Sequence, residues 1–573
     1  MLAAGMAAFS PALADNTTPV FEWGNLLTGR PGQDQTRGIA AYGSDAIYWM
    51  ATDGSVSGDT DVTYAGRFLY DGSEYEGTSA NKNLTLLKTN AAGEEQWVIH
   101  STSGDFISGE GNVAVTPEGN VVFFGTVRHT DGRLAEGISL VDAKGNRHEL
   151  GWDVNDRRNI RLFLATATSE GEILWAKTYE VATTPAAAAS GSNADFTADA
   201  VNAYALALDN DGNIYVGGRY RNPLTFPAAN GANVTLTPKN VSEWTGDSQK
   251  SSGDLYVVKL NSDGEYLANL KETGDEVEIT YTWDLAVSNG AVYMTGYAKG
   301  NGEASFTLGS TQLTPNEYYS PIVAKLDTDL NPEWVKLLPG DAVAGKNALQ
   351  NIGMTVSNTS VWLAGQYNGR ISDADDSAKY VESTQGNLRE GFIIKLDAAD
   401  GEWLAATNSR TDFDQNYLTG YLKVVDEDQT GSDNIFVYGY SMNAGVGAFV
   451  RSYNATTLAA DLDNSWNLVT QGGVPTAQDL VYVPATSRAY LTVRGNKAFQ
   501  PFGGEESETV SGYTNYLACF ELPKGESTDV TDIITDDEKA VYYDLQGRAI
   551  ASPTLPGIYI RRQGSESTKI LVK

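Results

Sequence analysis

One short phrase recurs seven times along this 573-residue chain, and few architectures accommodate a sequence written that way. Its copies run from Ile47 to Ala51, Val121 to Gly125, Ile214 to Gly218, Val292 to Gly296, Val361 to Gly365, Ile435 to Gly439 and Ala489 to Val493. Each is β-branched or aromatic and ends in Gly or another small residue, as a buried strand does. A shorter apolar strand and a tight turn precede it, as in Ala205 to Leu208 followed by Asn210-Asp211-Gly212-Asn213. Asp-Gly and Asn-Gly tolerate positive φ and so favour two-residue hairpins. Beyond a variable loop comes a second phrase: Leu84 to Lys88, Phe163 to Thr166, Leu255 to Lys259, Ile322 to Lys325, Phe392 to Lys395, Ala448 to Arg451 and Leu517 to Phe520. A turn and usually a Trp follow, at Trp97, Trp175, Trp334 and Trp403.

Four antiparallel strands repeated seven times, at spacings of 54 to 93 residues, give the order of a β-propeller blade. The spaced Trp and Phe residues sit on strands and are read as packing between blades. The last repeat supplies only three strands. The segment Glu22 to Gly29 matches Glu333 to Gly340, so the N-terminal segment is expected to complete the seventh blade and cover its exposed edge. The expected fold is all-β, a seven-bladed β-propeller closed by the N-terminal strand, with a small β-rich C-terminal tail. The repeats resemble the seven-bladed β-propeller repeat family, best in Asp209 to Gly218 with Leu255 to Gly264, and in Val292 to Phe306 with Ile322 to Leu326. The resemblance puts Thr166 and Arg451 where the family has Lys, and implies that Phe226, Phe306 and Phe502 are core. The stretch 398–403 also resembles the quinoprotein propeller repeat, whose shorter period does not fit.

With 73 acidic against 40 basic residues, a net charge of -33 opposes docking on phosphate backbones, so nucleic acid is not an expected partner. One cysteine and three histidines leave no internal disulfide and no His-rich metal centre. Residues 1–14 are small and apolar and end in Ala12-Leu13-Ala14, the form of a signal-peptidase site, so cleavage is expected after Ala14. No other stretch reaches the ~18 apolar residues of a membrane span. The expected organisation is a signal remnant at 1–14, the propeller at 15–523, a linker at 524–534 and a tail at 535–573. That tail contains Tyr543-Asp-Leu-Gln-Gly-Arg548, Gly557-Ile-Tyr559 and a terminal Leu571-Val-Lys573. It resembles the end of the C-terminal sorting domain of the type IX secretion system. The resemblance implies contact with that export machinery and a protein secreted from, or held on the outer surface of, a Gram-negative bacterium.

The connections within blades alternate between tight turns and long loops, and every long one falls on the same face, where binding usually resides. From those loops Tyr64, Trp152, Trp244, Tyr318, Tyr319 and Tyr380 are drawn as candidate ligand-binding residues, because flat aromatics beside amides and carboxylates can stack on a sugar or peptide. Most loop aromatics are expected to pin the loops to the ring. Asp209-x-Asp211-x-Asn213 is read as a hairpin, although it resembles the opening of a Ca²⁺ loop, and Asp373 to Asp376 as solvated charge. His100, His129 and His148 show no ligand spacing and are assigned surface or structural roles; no metal, cofactor or catalytic residue is assigned. The chain is read as a binding protein for a glycan or surface protein, more a binder than an enzyme. The alternatives are a glycoside hydrolase with an Asp/Glu pair near the ring axis, or a structural adhesin.

Overall fold

A computed structural model describes residues 18–32, 35–52, 67–70, 73–76, 83–101, 105–106, 111–128, 138–150, 160–182, 200–239, 253–384, 388–409, 419–442, 446–471, 476–510, 512–523, 541–543, 549–550, 553, 557–563 and 566–572. The chain forms two compact bodies, Met1–Pro523 and Lys524–Lys573. Among the described residues nearly everything is strand, and the helix Glu427–Thr430 is a single turn capped by Asp426 and Gln429.

The first body is a succession of antiparallel sheets built on four strands each, every strand hydrogen-bonded to the next in sequence order. Sheet 1 comprises Gln35–Tyr42, Ala46–Thr52, Leu84–Thr89 and Glu95–Ser101; sheet 2 comprises Asn112–Val115, Val121–Arg128, Ile160–Ala167 and Ile173–Val181. Sheet 3 holds Val201–Leu208, Ile214–Tyr220, Asp254–Leu260 and Tyr266–Asn269, and sheet 4 holds Ile279–Ser288, Ala291–Lys299, Ser320–Leu326 and Pro332–Leu337. Sheet 5 is Ala348–Val356, Ser360–Asn368, Glu390–Asp397 and Trp403–Asn408, and sheet 6 is Thr419–Val425, Asn434–Ser441, Gly447–Asn454 and Ala460–Gln471. Sheet 7 has three local strands, Thr476–Val483, Arg488–Gly495 and Tyr513–Glu521. Its fourth is Val20–Gly32, which pairs Phe21 with Phe520, Trp23 with Cys519 and Leu26 with Tyr516.

The second strand of each sheet is buried almost throughout, because it is flanked by strands on both edges and by neighbouring sheets on both faces. The buried apolar side chains gather accordingly into clusters that lie between sheets. Sheets 1 and 2 share the cluster around Met50, Leu86 and Phe163; sheets 2 and 3 share that around Phe124, Tyr179 and Val216. Further clusters join sheets 3 and 4, 4 and 5, 5 and 6, and 6 and 7. One more joins sheet 7 to sheet 1, bringing Tyr490, Leu517 and Cys519 against Ile39, Ile47 and Trp49.

The fourth-strand tryptophans explain why the repeat keeps Trp and Gly at fixed places. Trp97 Nε1 donates to Ser169 O at 2.9 Å, Trp175 Nε1 to Ser262 O at 3.0 Å and Trp334 Nε1 to Ala398 O at 3.4 Å, in each case reaching the last turn of the following sheet. The indole lies flat on that turn's glycine: a Cβ on Gly171 would come 2.8 Å from Trp97, on Gly264 2.8 Å from Trp175 and on Gly401 2.9 Å from Trp334. The N-terminal strand repeats the contact. Trp23 Nε1 donates to Ala91 O at 2.9 Å, and a Cβ on Gly93 would lie 2.6 Å from its ring.

The long connections are less open than the sequence implies. Those of sheets 1 to 5 fold into two-stranded hairpins that reach back to the preceding sheet or the strand just beyond it: Arg67–Tyr70 with Ser73–Glu76 on Val20–Gly32, Ser139–Val141 with Arg147–Glu149 on Glu95–Ser101, and Leu224–Pro227 with Asn233–Leu236 on Ile173–Val181. Phe306–Leu308 with Thr311–Leu313 pairs Glu272–Gly274, and Arg370–Ser372 with Tyr380–Glu382 pairs Gly340–Asp341. In sheet 7 the single strand Phe499–Pro501 pairs Ala460–Gln471. The arms from sheets 2 to 5 and 7 drive apolar anchors between sheets: Leu140, Leu224, Phe226, Phe306, Leu308, Ile371 and Phe499 are at most 2% exposed.

Two sequence assignments are corrected here. Phe502 is not core: it is 38% exposed, and Phe499, on the paired strand three residues earlier, fills the buried position. Arg451 does not occupy the repeat's Lys position either. Tyr48, Tyr215, Tyr293 and Trp362 face Lys88, Lys259, Lys325 and Lys395 across the second and third strands, and the corresponding Phe436 faces Ser452. Arg451 therefore points to the other side, over the ring of Phe449 and bonded to Trp466 O at 2.9 Å.

In the second body, Val541–Tyr543, Ala549–Ile550, Gly557–Gln563 and Glu566–Val572 form one antiparallel sheet. The two-residue strand Ala549–Ile550 is one edge of that sheet.

Candidate functional site

The first strands are what the sheets turn toward one another, each abutting the first strand of the next sheet, and that of sheet 7 abutting that of sheet 1. Together they line one cavity of about 530 Å³, to which residues from all of these first strands contribute. It runs along the strands, from Gly111 and Asn351 at one end to Val356 and Gln429 at the other.

A shared irregularity aims side chains into it. The first strands of sheets 1 and 3 to 7 each carry a register shift at the same place, between Thr36 and Gly38, Ala203 and Ala205, Thr282 and Asp284, Gln350 and Gly353, Tyr421 and Lys423, and Ala477 and Asp479. A bulge leaves its extra residue unpaired and re-aims it. Tyr204, Trp283, Asn351, Leu422 and Gln478 are such residues and line the cavity.

Its wall is two-sided in chemistry. At sheets 3 and 4, Tyr204 and Trp283 stack with centroids 4.9 Å apart and planes 10° off parallel, both partly exposed. Behind them Tyr281 stacks on Trp283 and on Tyr297, and Tyr297 meets Tyr319 edge-on at 5.3 Å, so an aromatic series continues toward the long connections. The Arg219 guanidinium sits 5.2 Å from the Tyr281 ring. Across the cavity, sheets 6 and 7 present Lys423, Gln478, Asp479 and Arg494, with Lys423 Nζ 3.8 Å from Asp479 Oδ1.

The two carboxylates act as staples between sheets. Asp284 accepts from Leu285 N at 2.8 Å and, across the seam, from Met354 N at 2.9 Å; Asp479 accepts from Leu480 N at 2.8 Å and from Ile39 N at 3.1 Å. Burial raises the Asp284 carboxyl to about 6; the Met354 and Leu285 N–H groups and Lys423 oppose the rise and the Asp479 charge adds to it.

Of the aromatics drawn from the sequence, Tyr64, Trp152 and Trp244 lie outside the described residues, as does His129. Tyr319 joins the outer end of the aromatic series. Tyr318 lies beside it, partly exposed, and Tyr380 stands apart on its hairpin, 48% exposed beneath the Arg370 guanidinium. The inner pair Tyr204 and Trp283 is not legible in the sequence because plain alternation reads Tyr281-Thr282-Trp283 as ordinary strand; only the bulge turns the pair into the cavity wall.

Asp209 closes its turn by accepting from Asp211 N, Asn213 N and Asn213 Nδ2, and Asp142 does the same for Lys144 and Asn146 while also bonding His148 Nε2 at 3.1 Å. Asp373 and Asp376 likewise accept from backbone N–H groups two residues on. Among the described residues no group of three or more His, Cys, Asp or Glu is placed to hold a metal, and no helix is long and apolar enough to cross a membrane.

No family model and no curated protein matches this chain. Solved structures similar to it include a quinohemoprotein alcohol dehydrogenase from Pseudomonas putida, at 12% identity over 91% of this chain and 78% of that one, with a TM-score of 0.35. The Dos1 propeller is similar at 10% identity over 87% and 94%, with a TM-score of 0.34. Extracellular domains of Drosophila semaphorin 1b are similar at 8% identity over 94% of both chains, with a TM-score of 0.34. These likenesses are too loose to carry a functional argument.

Proposed function

We propose that this chain is an exported β-propeller whose seven sheets close into a ring through the N-terminal strand, and that it binds a glycan in the axial cavity. The ring reading is supported by the pairing of Val20–Gly32 with Tyr513–Glu521, by the Trp23 contact on Gly93, and by the apolar cluster shared between sheets 7 and 1. The binding reading rests on one observation, the cavity with Tyr204 and Trp283 on one wall and Lys423, Gln478, Asp479 and Arg494 on the other. A sugar ring is itself two-sided: its C–H face stacks on an aromatic plane and its hydroxyls need donors and acceptors of both kinds. Export and surface attachment rest on residues 1–14 and on the sorting-type tail at 535–573.

The hydrolase alternative calls for two carboxylates about 5–10 Å apart, one of them free to protonate a leaving group. Asp284 and Asp479 are the axial pair, yet each of their four oxygens already accepts a backbone N–H, which holds both carboxyls in the wall. Binding without turnover is therefore the reading favoured.

A glycan array probed with the full chain tests the proposal. Binding to at least one glycan class is expected, with affinity reduced about tenfold or more in Trp283→Ala, since a lost stacking contact and its buried area amount to about 1.5–3 kcal/mol. Equal binding by Trp283→Ala and the unaltered chain would remove the cavity from the account, and release of new reducing ends from a bound glycan would restore the hydrolase. Deleting 535–573 is expected to leave the protein inside the cell envelope; surface display without that segment would refute the sorting role.

A further inference from the structure

We infer that the cavity takes its ligand end-on, reading the terminal rings of a glycan and never an internal stretch of a long chain. The inference rests on the glycan reading above and comes from how the cavity is sealed along its sides. Between sheets 2 and 3, Gly111 N–H donates to Ala203 O at 2.8 Å; between 4 and 5, Met354 N–H donates to Asp284 at 2.9 Å; between 5 and 6, Thr355 Oγ1 donates to Val424 O at 2.7 Å. Ile39 N–H donates to Asp479 at 3.1 Å between sheets 7 and 1, and the Lys423–Asp479 ion pair bridges 6 and 7. The Tyr204–Trp283 stack closes sheets 3 and 4. At the remaining seam Gly38 is so close to sheet 2 that a Cβ would fall 2.7 Å from Val113 N.

Among the described residues no seam is left for a polymer to be laid in sideways, as it would be in an open groove. A chain reaches the stacked rings only by leading with an end. The volume of about 530 Å³ lies within the range of about 300–1,000 Å³ that encloses a small ligand, so a short oligosaccharide fills it and later rings stay in water. Affinity is then set by the first rings and by the number of chain ends, not by polymer mass.

Isothermal titration of the full chain with gluco-, xylo-, manno- and chito-oligosaccharides, from the monosaccharide to the hexasaccharide, reads this directly. In whichever series binds, the Kd is expected to fall as far as the di- or trisaccharide and to change by less than about threefold beyond it. A continued fall of about tenfold or more between trisaccharide and hexasaccharide would overturn end-on entry, and if Trp283→Ala still abolished that binding the glycan reading itself would stand. Silence in all four series together with silence on the glycan array would overturn both.

Discussion

Replacing Gly93 with Ala probes the joint between the N-terminal strand and sheet 1 more selectively than removing a side chain would. Gly93 has φ +80°, so any L-residue there carries the left-handed penalty of about 1–2 kcal/mol. Gly212 and Gly290 have φ +78° and +75° and carry the same penalty, but a Cβ at either meets nothing within 4 Å, whereas at Gly93 it would lie 2.6 Å from the indole of Trp23. Overpacking of that kind costs about a further 1–3 kcal/mol. Gly93→Ala is therefore expected to destabilise by about 2–5 kcal/mol and the two controls by about 1–2 kcal/mol, measured by urea unfolding followed through intrinsic fluorescence. In a Trp23→Ala background the excess should vanish, because the ring that the methyl strikes is gone; the double-mutant cycle isolates it. Equal effects at Gly93 and Gly212, or an excess that survives Trp23→Ala, would refute the contact between the N-terminal strand and sheet 1.

Other expectations follow from single groups. Asp479→Ala removes the acceptor that Ile39 N–H reaches across the seam, and should cost about 1–3 kcal/mol in the same unfolding assay, with Asp479→Asn costing less. Glu272, its side chain 5% exposed beside Lys239, has its carboxyl raised to about 7 by burial first and the Asp254 charge second, against the pull of Lys239 and Thr280. A carboxyl whose folded pKa exceeds its unfolded value favours the fold when protonated, so its contribution to stability should fall as pH rises from about 4.5 to about 7; Glu272→Gln should flatten that part of the stability profile. Cys519 is fully buried and its thiol is pushed up to about 12, chiefly by burial, so an aromatic disulfide reagent at pH 8 should label it only after unfolding.

What the sequence disclosed were features set by short-range pattern. The second-strand phrase could be read because a strand buried on both faces is apolar at every position, and the match of Glu22-Trp23 to Glu333-Trp334 located the strand that pairs with Tyr513–Glu521 because Trp23 must fit the same glycine turn as its counterparts. What stayed hidden were departures from two-residue alternation. A bulge reverses which side chains face the cavity, so Tyr204 and Trp283 read as plain strand residues while the loop residues Tyr318 and Tyr380 stand out instead. Position within the repeat was harder to read than strand identity: Ser452, one residue beyond Arg451, faces Phe436, and Phe499, three before Phe502, fills the buried position. The hairpin arms escaped notice because their strands are only three or four residues long, too short for an alternation such as Leu224 and Phe226, or Phe306 and Leu308, to stand out from the connection around it.

Hydrogen–deuterium exchange at the amides of residues 20–27 bears on ring closure without any substitution. If this segment is the fourth strand of the last sheet, the alternate amides that it turns toward Tyr513–Glu521 exchange as slowly as those of Tyr516 to Phe520. Exchange of every amide from 20 to 27 within seconds, while the Tyr516 to Phe520 amides stay protected, would mean an open ring and no sealed axial cavity.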